Sequence, residues 1–294
     1  MKKTLIASAV TATMLSSNGF AMETASELAA MMESMPSVYG NIQLVWVHED
    51  NEVAGGSSVS GLEDNGSTLG ILHDHEISPG LTGFLKLELE GIGADDKGNS
   101  SGIDALDEAY IGVKGDFGQF WAGSDDSQFE TLIEGINNHY EYAAQNIDLA
   151  NDTGEGNLLQ YTSPSFGGVK VLAAVALESS GTGGSKNPYQ LGVMYEADMF
   201  SVAVAMDSND GGESDSNENI YGIAGDVNLG DLGLRAEYSM REAKASDAGQ
   251  MVYGLMALYS IGPNSFAASY EYGEPDEGDG DTSVISLQAL HNLS

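Results

Sequence analysis

Carboxylates are concentrated in one stretch of this sequence, between Asp125 and Gly156. Carboxylates that line a water-filled passage attract cations and repel anions, whereas the same groups on an external loop are only solvated. The apolar and polar alternation that marks a strand stops at Ser124 and resumes at Leu158, so the stretch is predicted to be a long loop. Its eight acidic residues are Asp125, Asp126, Glu130, Glu134, Glu141, Asp148, Asp152 and Glu155.

Two predicted β-hairpins flank the acidic loop. The first, Leu106 to Ser124, reverses at a tight turn between Gly115 and Gly118. The second, Leu158 to Glu178, reverses between Ser163 and Gly168.

These hairpins carry a family resemblance. The runs AYIGVKGDFG at 109–118 and YTSPSFGG at 161–168 together resemble the centre of a Gram-negative general porin. The resemblance implies that the loop 125–156 folds into a barrel as the third external loop and narrows the pore. It places at the constriction the carboxylates of Asp125, Asp126, Glu130, Glu134, Glu141, Asp148 and Asp152.

The remaining sequence predicts an all-β, transmembrane antiparallel β-barrel of porin type. Short turns alternate with longer, mostly acidic connections, as in outer-membrane barrels with tight periplasmic turns and longer external loops. We count fourteen strands between 37 and 293, whereas the family resemblance implies sixteen. The short turns are 78–80, 116–117, 164–168, 198–199, 230–231 and 262–264.

Strand alternation predicts which charged side chains face the pore. Only eight basic residues remain after residue 21, and the porin resemblance leads us to expect an arginine wall that this chain lacks. Asn41, Thr68, Asp107, Ser124 and Gln160 stand where a basic residue is frequent in the family. We therefore predict a cation-selective pore whose wall carries Lys86, Glu88, Lys114, Lys170, Arg235, Glu237 and Arg241.

The ends of the chain predict export. Lys2 and Lys3, an apolar run and Gly19-Phe20-Ala21 make residues 1–21 a signal peptide. Residues 22–36 are a short lead-in, and 37–294 are the barrel. No later stretch is long and apolar enough for a spanning helix. We therefore expect the outer membrane of a Gram-negative bacterium, contact with its lipid and, from the resemblance, a homotrimer.

Composition excludes one class of partner and leaves one question open. The formal charge of −35 becomes −35 − 2 = −37 without Lys2 and Lys3, so nucleic-acid binding, which needs basic surface, is excluded. Solvated carboxylates are also an adaptation to high salt. The acidic excess therefore has two alternative origins, which are adaptation to high salt and selection of cations by the pore.

Other motifs are weak. No nucleophile elbow, Cys-His pair or phosphate loop is present, so we expect no catalysis and no cofactor. Asp207 to Glu218 resembles a calcium loop without its flanking helices, and His73 and His75 lack a third metal ligand. We predict a porin for passive diffusion of small hydrophilic solutes and cations. The alternatives are a non-conducting outer-membrane adhesin or structural barrel, and a soluble secreted calcium-binding β-protein.

Overall fold

Antiparallel strands joined to their chain neighbours make up most of the molecule. The computed structural model describes residues 35–49, 59–98, 100, 102–103, 105–140, 147, 154–177, 187–210, 218–242, 249–275 and 280–293. The strands are β1 (Ser37–Gly40), β2 (Leu44–Glu49), β3 (Val59–Asp64), β4 (Leu69–Ser78), β5 (Leu81–Glu90), β6 (Ala105–Gly115), β7 (Gly118–Ser124), β8 (Leu158–Thr162), β9 (Val169–Ala176), β10 (Tyr189–Glu196), β11 (Phe200–Asp207), β12 (Ile220–Leu229), β13 (Leu232–Arg241), β14 (Gln250–Ile261), β15 (Asn264–Pro275) and β16 (Thr282–His291).

Fourteen strands form one sheet, in the order β1, β4 and then β5 to β16. The sequence-based count of fourteen is thereby confirmed, and sixteen is reached only by including the separate two-stranded hairpin of β2 and β3. The order leaves β1 and β16 at the two ends of the sheet. None of the helices in the described ranges has both the length and the apolarity that a membrane crossing requires.

One predicted strand is interrupted. The stretch 37–48 divides into β1 and β2 at residues 41–43, where side-chain hydrogen bonds take the place of some of the backbone pairs. The backbone N–H of Gln43 donates to Ser67 Oγ at 2.9 Å, and that of Thr68 donates to Asn41 Oδ1 at 3.0 Å. The β2–β3 hairpin is thus an extension of β1 and β4 beyond a polar break.

Alternation along the strands separates two faces. On β10, Leu191 and Val193 are exposed while Gln190 and Gly192 are buried. The neighbouring strand β11 repeats this pattern, with Val202 and Val204 exposed and its two alanines buried. Exposed aliphatic side chains on one face suit contact with lipid. A helix from the acidic loop packs on the other face and buries it.

Candidate functional site

The acidic loop begins with a short helix, α1 (Gln128–Ile133), followed by a 3-10 turn (Asn137–His139). Ser127 caps α1, because its Oγ accepts a hydrogen bond from the N–H of Glu130 at 3.2 Å. Such a cap satisfies a donor that the first turn leaves without a helical partner. The helix buries Phe129, Leu132 and Ile133 completely or almost completely.

The strand register shows which side chains of the sheet project to the side on which α1 lies. Side chains of directly paired residues project to the same side. One row of pairs runs through Asp74, Phe84, Gly112, Trp121, Gln160, Ala174, Gln190, Asp207 and Ile220. Because Gln190 and Gln160 contact the loop at Phe129 and Asp126, the whole row belongs to the loop side of the sheet, which we call the inner wall.

Glycines on the inner wall receive the apolar side chains of the loop. A methyl group at Gly192 would lie 2.3 Å from Leu132 Cδ1, and one at Gly222 would lie 2.5 Å from Ile133 Cγ2. Two further pairs have the same geometry, Gly254 with Ile136 at 2.7 Å and Gly273 with Ile147 at 2.6 Å. Four aliphatic side chains thus fill four notches that only glycine provides, and we call these positions the glycine notches.

A buried hydrogen-bond chain holds the beginning of α1. Gln190 Oε1 accepts from the N–H of Phe129 at 3.2 Å, and Gln190 Nε2 donates to Asp207 Oδ2 at 2.6 Å. Asp207 Oδ1 accepts from the N–H of Asn209 at 2.7 Å. Gln190 and Asp207 are both 0% exposed, so each bond is made away from competing water.

We expect Gln190→Leu to lower the free energy of unfolding by about 1–3 kcal/mol, since it leaves a buried N–H and a buried carboxylate oxygen without this partner. Urea unfolding in detergent micelles measures the change. Gln288→Leu, at a partly exposed site on β16, is the matched control and should change stability by no more than about 0.5 kcal/mol. Equal losses in both variants would contradict the anchoring role.

Arg235 holds the other end of α1. Its Nη2 donates to the carbonyl oxygens of Leu132 at 3.1 Å and Ile133 at 3.0 Å, which are acceptors that the last turn leaves free. Its Nη1 contacts both carboxylate oxygens of Asp226 at 3.1 Å, and its Nε donates to Glu237 Oε2 at 2.7 Å. The N–H of Ile136 donates to the same Glu237 oxygen at 3.3 Å. We call Arg235, Glu237 and Asp226 the latch.

Two groups of carboxylates lie near the roots of the loop. The oxygens of Asp126, Glu130 and Glu155 lie within 4.8 Å of one another, and those of Glu88, Asp107 and Glu108 do the same. Asp125 connects the groups electrostatically, because burial and then the charge of Glu108 raise its pKa to about 6. We call these residues, with Asp125, the acidic zone.

The pKa of Glu130, on the loop side of this zone, is strongly raised. Burial raises the pKa of Glu130 to about 7, and the charges of Asp126 and Glu155 act in the same direction. Burial also raises the pKa of Glu155 and of Asp126. The full negative charge of the zone therefore develops only above neutral pH.

Four of the five basic residues of the predicted pore wall, Lys86, Lys114, Lys170 and Arg235, are paired with acids. Lys86 contacts Glu108, and Glu88 at 3.8 Å. Lys114 pairs with Asp74 at 2.8 Å, and Lys170 pairs with Glu196 at 2.6 Å. Arg241 lies at the end of β13. The carboxylates of Asp125, Asp126, Glu130 and Glu155 outnumber the nearby positive charge, which comes from Lys86.

Some predicted site residues lie elsewhere or outside the described part. Glu141, Asp148 and Asp152 are outside the described residues, and Glu134 is buried at 8% exposure. In the calcium-like stretch, both Asp207 oxygens accept hydrogen bonds from the chain, while 211–217 are outside the described residues. His73 and His75 lie on the outer face, because their pairing partners are Leu85 and Gly83.

Sequence reasoning missed α1, the Gln190–Asp207 anchor and the glycine notches. A signal for α1 was present, because Ser127 followed by Glu130 has the spacing of a capping box. The notches had no such signal, since glycine in a strand also marks bulges and bends.

Residues 7–294 match a family model described as Gram-negative porin. A monosaccharide porin of a Halomonas species and the major outer membrane protein of Halomonas elongata are each 29% identical over 267 residues, which cover 81% of this chain and 70% of theirs. The solved anion-selective porin from Comamonas acidovorans has a TM-score of 0.70 at 23% identity, covering 88% of this chain and 85% of that chain.

Proposed function

This chain belongs to the Gram-negative porin family, and on that premise we propose that it is a water-filled, cation-preferring diffusion channel for small hydrophilic solutes. It is an outer-membrane porin with a transmembrane β-barrel, which makes a soluble secreted calcium-binding protein the wrong alternative. The homotrimer implied by the family resemblance is part of the proposal, and the particle mass in detergent tests it. The proposal includes no catalytic step.

The acidic zone is the observation that carries the cation preference. Seven carboxylates gather where the loop leaves and rejoins the wall, and within the described residues Lys86 is the basic group whose charge acts on Asp125 and Asp126. Lys86, Lys114, Lys170 and Arg235, on β5, β6, β9 and β13, are each paired with a neighbouring acid. A passage beside this zone should concentrate cations and exclude anions.

Two relatives bear on solute and charge. One Halomonas relative is named a monosaccharide porin, which favours neutral sugars among the hydrophilic solutes of this channel. The Comamonas acidovorans porin is anion-selective, but at 23% identity the likeness carries the fold alone. The selectivity of this chain is therefore argued from its own charges.

We expect reversal potentials in a KCl gradient across a planar bilayer to favour K⁺ at pH 8. The preference should weaken as pH falls to 5, because Glu130, with a pKa of about 7, and Asp125, with a pKa of about 6, become neutral on protonation. Chloride preference at pH 8 would refute the cation proposal. The absence of any conductance would favour the non-conducting adhesin or structural barrel.

A further inference from the structure

A recess of about 420 Å³ opens on the inner wall between β4 and β7, away from α1. Eight of its lining residues share the inner-wall face by register: Asp74, Phe84, Lys86, Tyr110, Lys114 and Gln119, together with Leu72 and Ser37. Its volume falls in the range of small-molecule pockets, which are about 300–1,000 Å³. The loop anchors do not involve these side chains.

Two aromatic residues, Phe84 and Tyr110, form the floor of the recess, and Trp121 packs against Tyr110 without lining the recess itself. The rings of Tyr110 and Trp121 stack with centroids 4.8 Å apart, and Phe84 meets Tyr110 edge-on at 6.2 Å. Gly112 makes this arrangement possible, because a methyl group there would lie 2.5 Å from Phe84 Cζ and 2.7 Å from Trp121 Cβ. The rings therefore lie along the wall over bare backbone, and Tyr110 remains partly exposed.

Polar groups form the rim of the recess, and its charged side chains are in ion pairs. Lys114 Nζ contacts both oxygens of Asp74, at 2.9 and 2.8 Å, and lies 5.4 Å from the centre of the Phe84 ring. Lys86 is held by Glu108. Gln119 adds a neutral amide that can both donate and accept. The rim thus offers many hydrogen-bonding atoms, and both of its lysines are held in ion pairs.

From this floor and rim we infer that the recess is a binding subsite for one neutral saccharide ring. The face of a sugar ring presents C–H groups, which pack on aromatic rings, while its edge presents hydroxyls that need both donors and acceptors. An inorganic ion would find each rim charge already neutralised. This inference rests on the proposed channel function. In it, the acidic zone favours cations over anions, and the recess binds neutral solute.

The first test is block of ion current by D-glucose in a planar bilayer, with sorbitol, an open-chain polyol, as the control for viscosity and volume. We expect glucose to reduce conductance saturably and sorbitol to reduce it only in proportion to viscosity. Tyr110→Ala should raise the half-blocking glucose concentration about tenfold. Tyr161→Ala, on the outer face beside Phe120, is the matched control and should leave that concentration unchanged.

A second test does not need conduction. The chain has two tryptophans. A Trp46→Phe variant therefore leaves Trp121, which stacks on Tyr110, as the fluorescent reporter. Glucose added to this variant in detergent should change its emission saturably, and the additional Tyr110→Ala change should abolish the effect. A conducting channel with neither saturable block nor saturable emission overturns the subsite alone. Saturable emission without conductance overturns the channel and supports the subsite.

Discussion

The Arg235→Ala variant should carry a current that fluctuates between levels, whereas the unchanged channel holds one open level. Arg235 supplies the hydrogen bonds to Leu132 and Ile133 carbonyls that end α1 on the wall. Its loss also leaves Glu237, with a side chain 8% exposed, without its ion partner. Breaking a buried ion pair in this way costs about 3–5 kcal/mol, so urea unfolding should show a large loss beside the added current noise.

Two further variants distinguish the loss of the latch contacts from a general loss of stability. Arg235→Lys keeps the charge but loses the planar fork of donors, so its noise should be intermediate. Gly135→Ala disturbs the latch from the loop side, because the added methyl group would lie 2.6 Å from Arg235 Cζ and displace the guanidinium. It should reproduce the noise while retaining both latch carboxylates. A quiet single level in Arg235→Ala would show that the latch does not hold the loop.

Neutralising the loop side of the acidic zone should produce the other large effect. In the triple variant Asp126→Asn, Glu130→Gln, Glu155→Gln, three carboxylates whose oxygens lie within 4.8 Å of one another become amides of the same shape. We expect the K⁺ preference at pH 8 to fall severalfold and its dependence on pH to flatten, because Glu130, with its pKa of about 7, no longer titrates.

The control for this experiment moves the same charge change to another place. Asp198 and Asp231 lie in short turns at the opposite ends of the strands and, with Asp116, can be changed to Asn together. This control triple should keep most of the selectivity, since a charge more than about 10 Å from the passage is screened at 0.1 M salt. If both triples lose selectivity equally, overall charge and not the acidic zone controls it.

The strands and turns were predictable because their signals are local. Alternation located β5 and β13, and glycine in the left-handed region supports the predicted turns, as at Gly80 (φ 82°) and Gly230 (φ 72°). Alternation also predicted the face of Arg235. It could not predict that the guanidinium bonds a loop about a hundred residues earlier, because that contact depends on the three-dimensional path of the chain.

The glycine notches were beyond sequence reasoning for the same reason. Gly192 and Gly222 are ordinary strand glycines until Leu132 and Ile133 are placed against them. Likewise, Asp207 belongs to a weak calcium-like pattern in sequence, whereas in the structure its oxygens accept hydrogen bonds from Gln190 and the backbone of Asn209. A motif read without its neighbours cannot distinguish a ligand from a structural acceptor.

The position of the glycine notches along the chain has a consequence for maturation of the protein. All four lie on β10, β12, β14 and β15, which are made after the segment that they receive. That segment has no surface to settle on until the C-terminal half of the cylinder exists, and such distant pairings form slowly. If this segment narrows the passage as proposed, we expect the narrowing to be a late event and a newly inserted molecule to conduct more than a finished one.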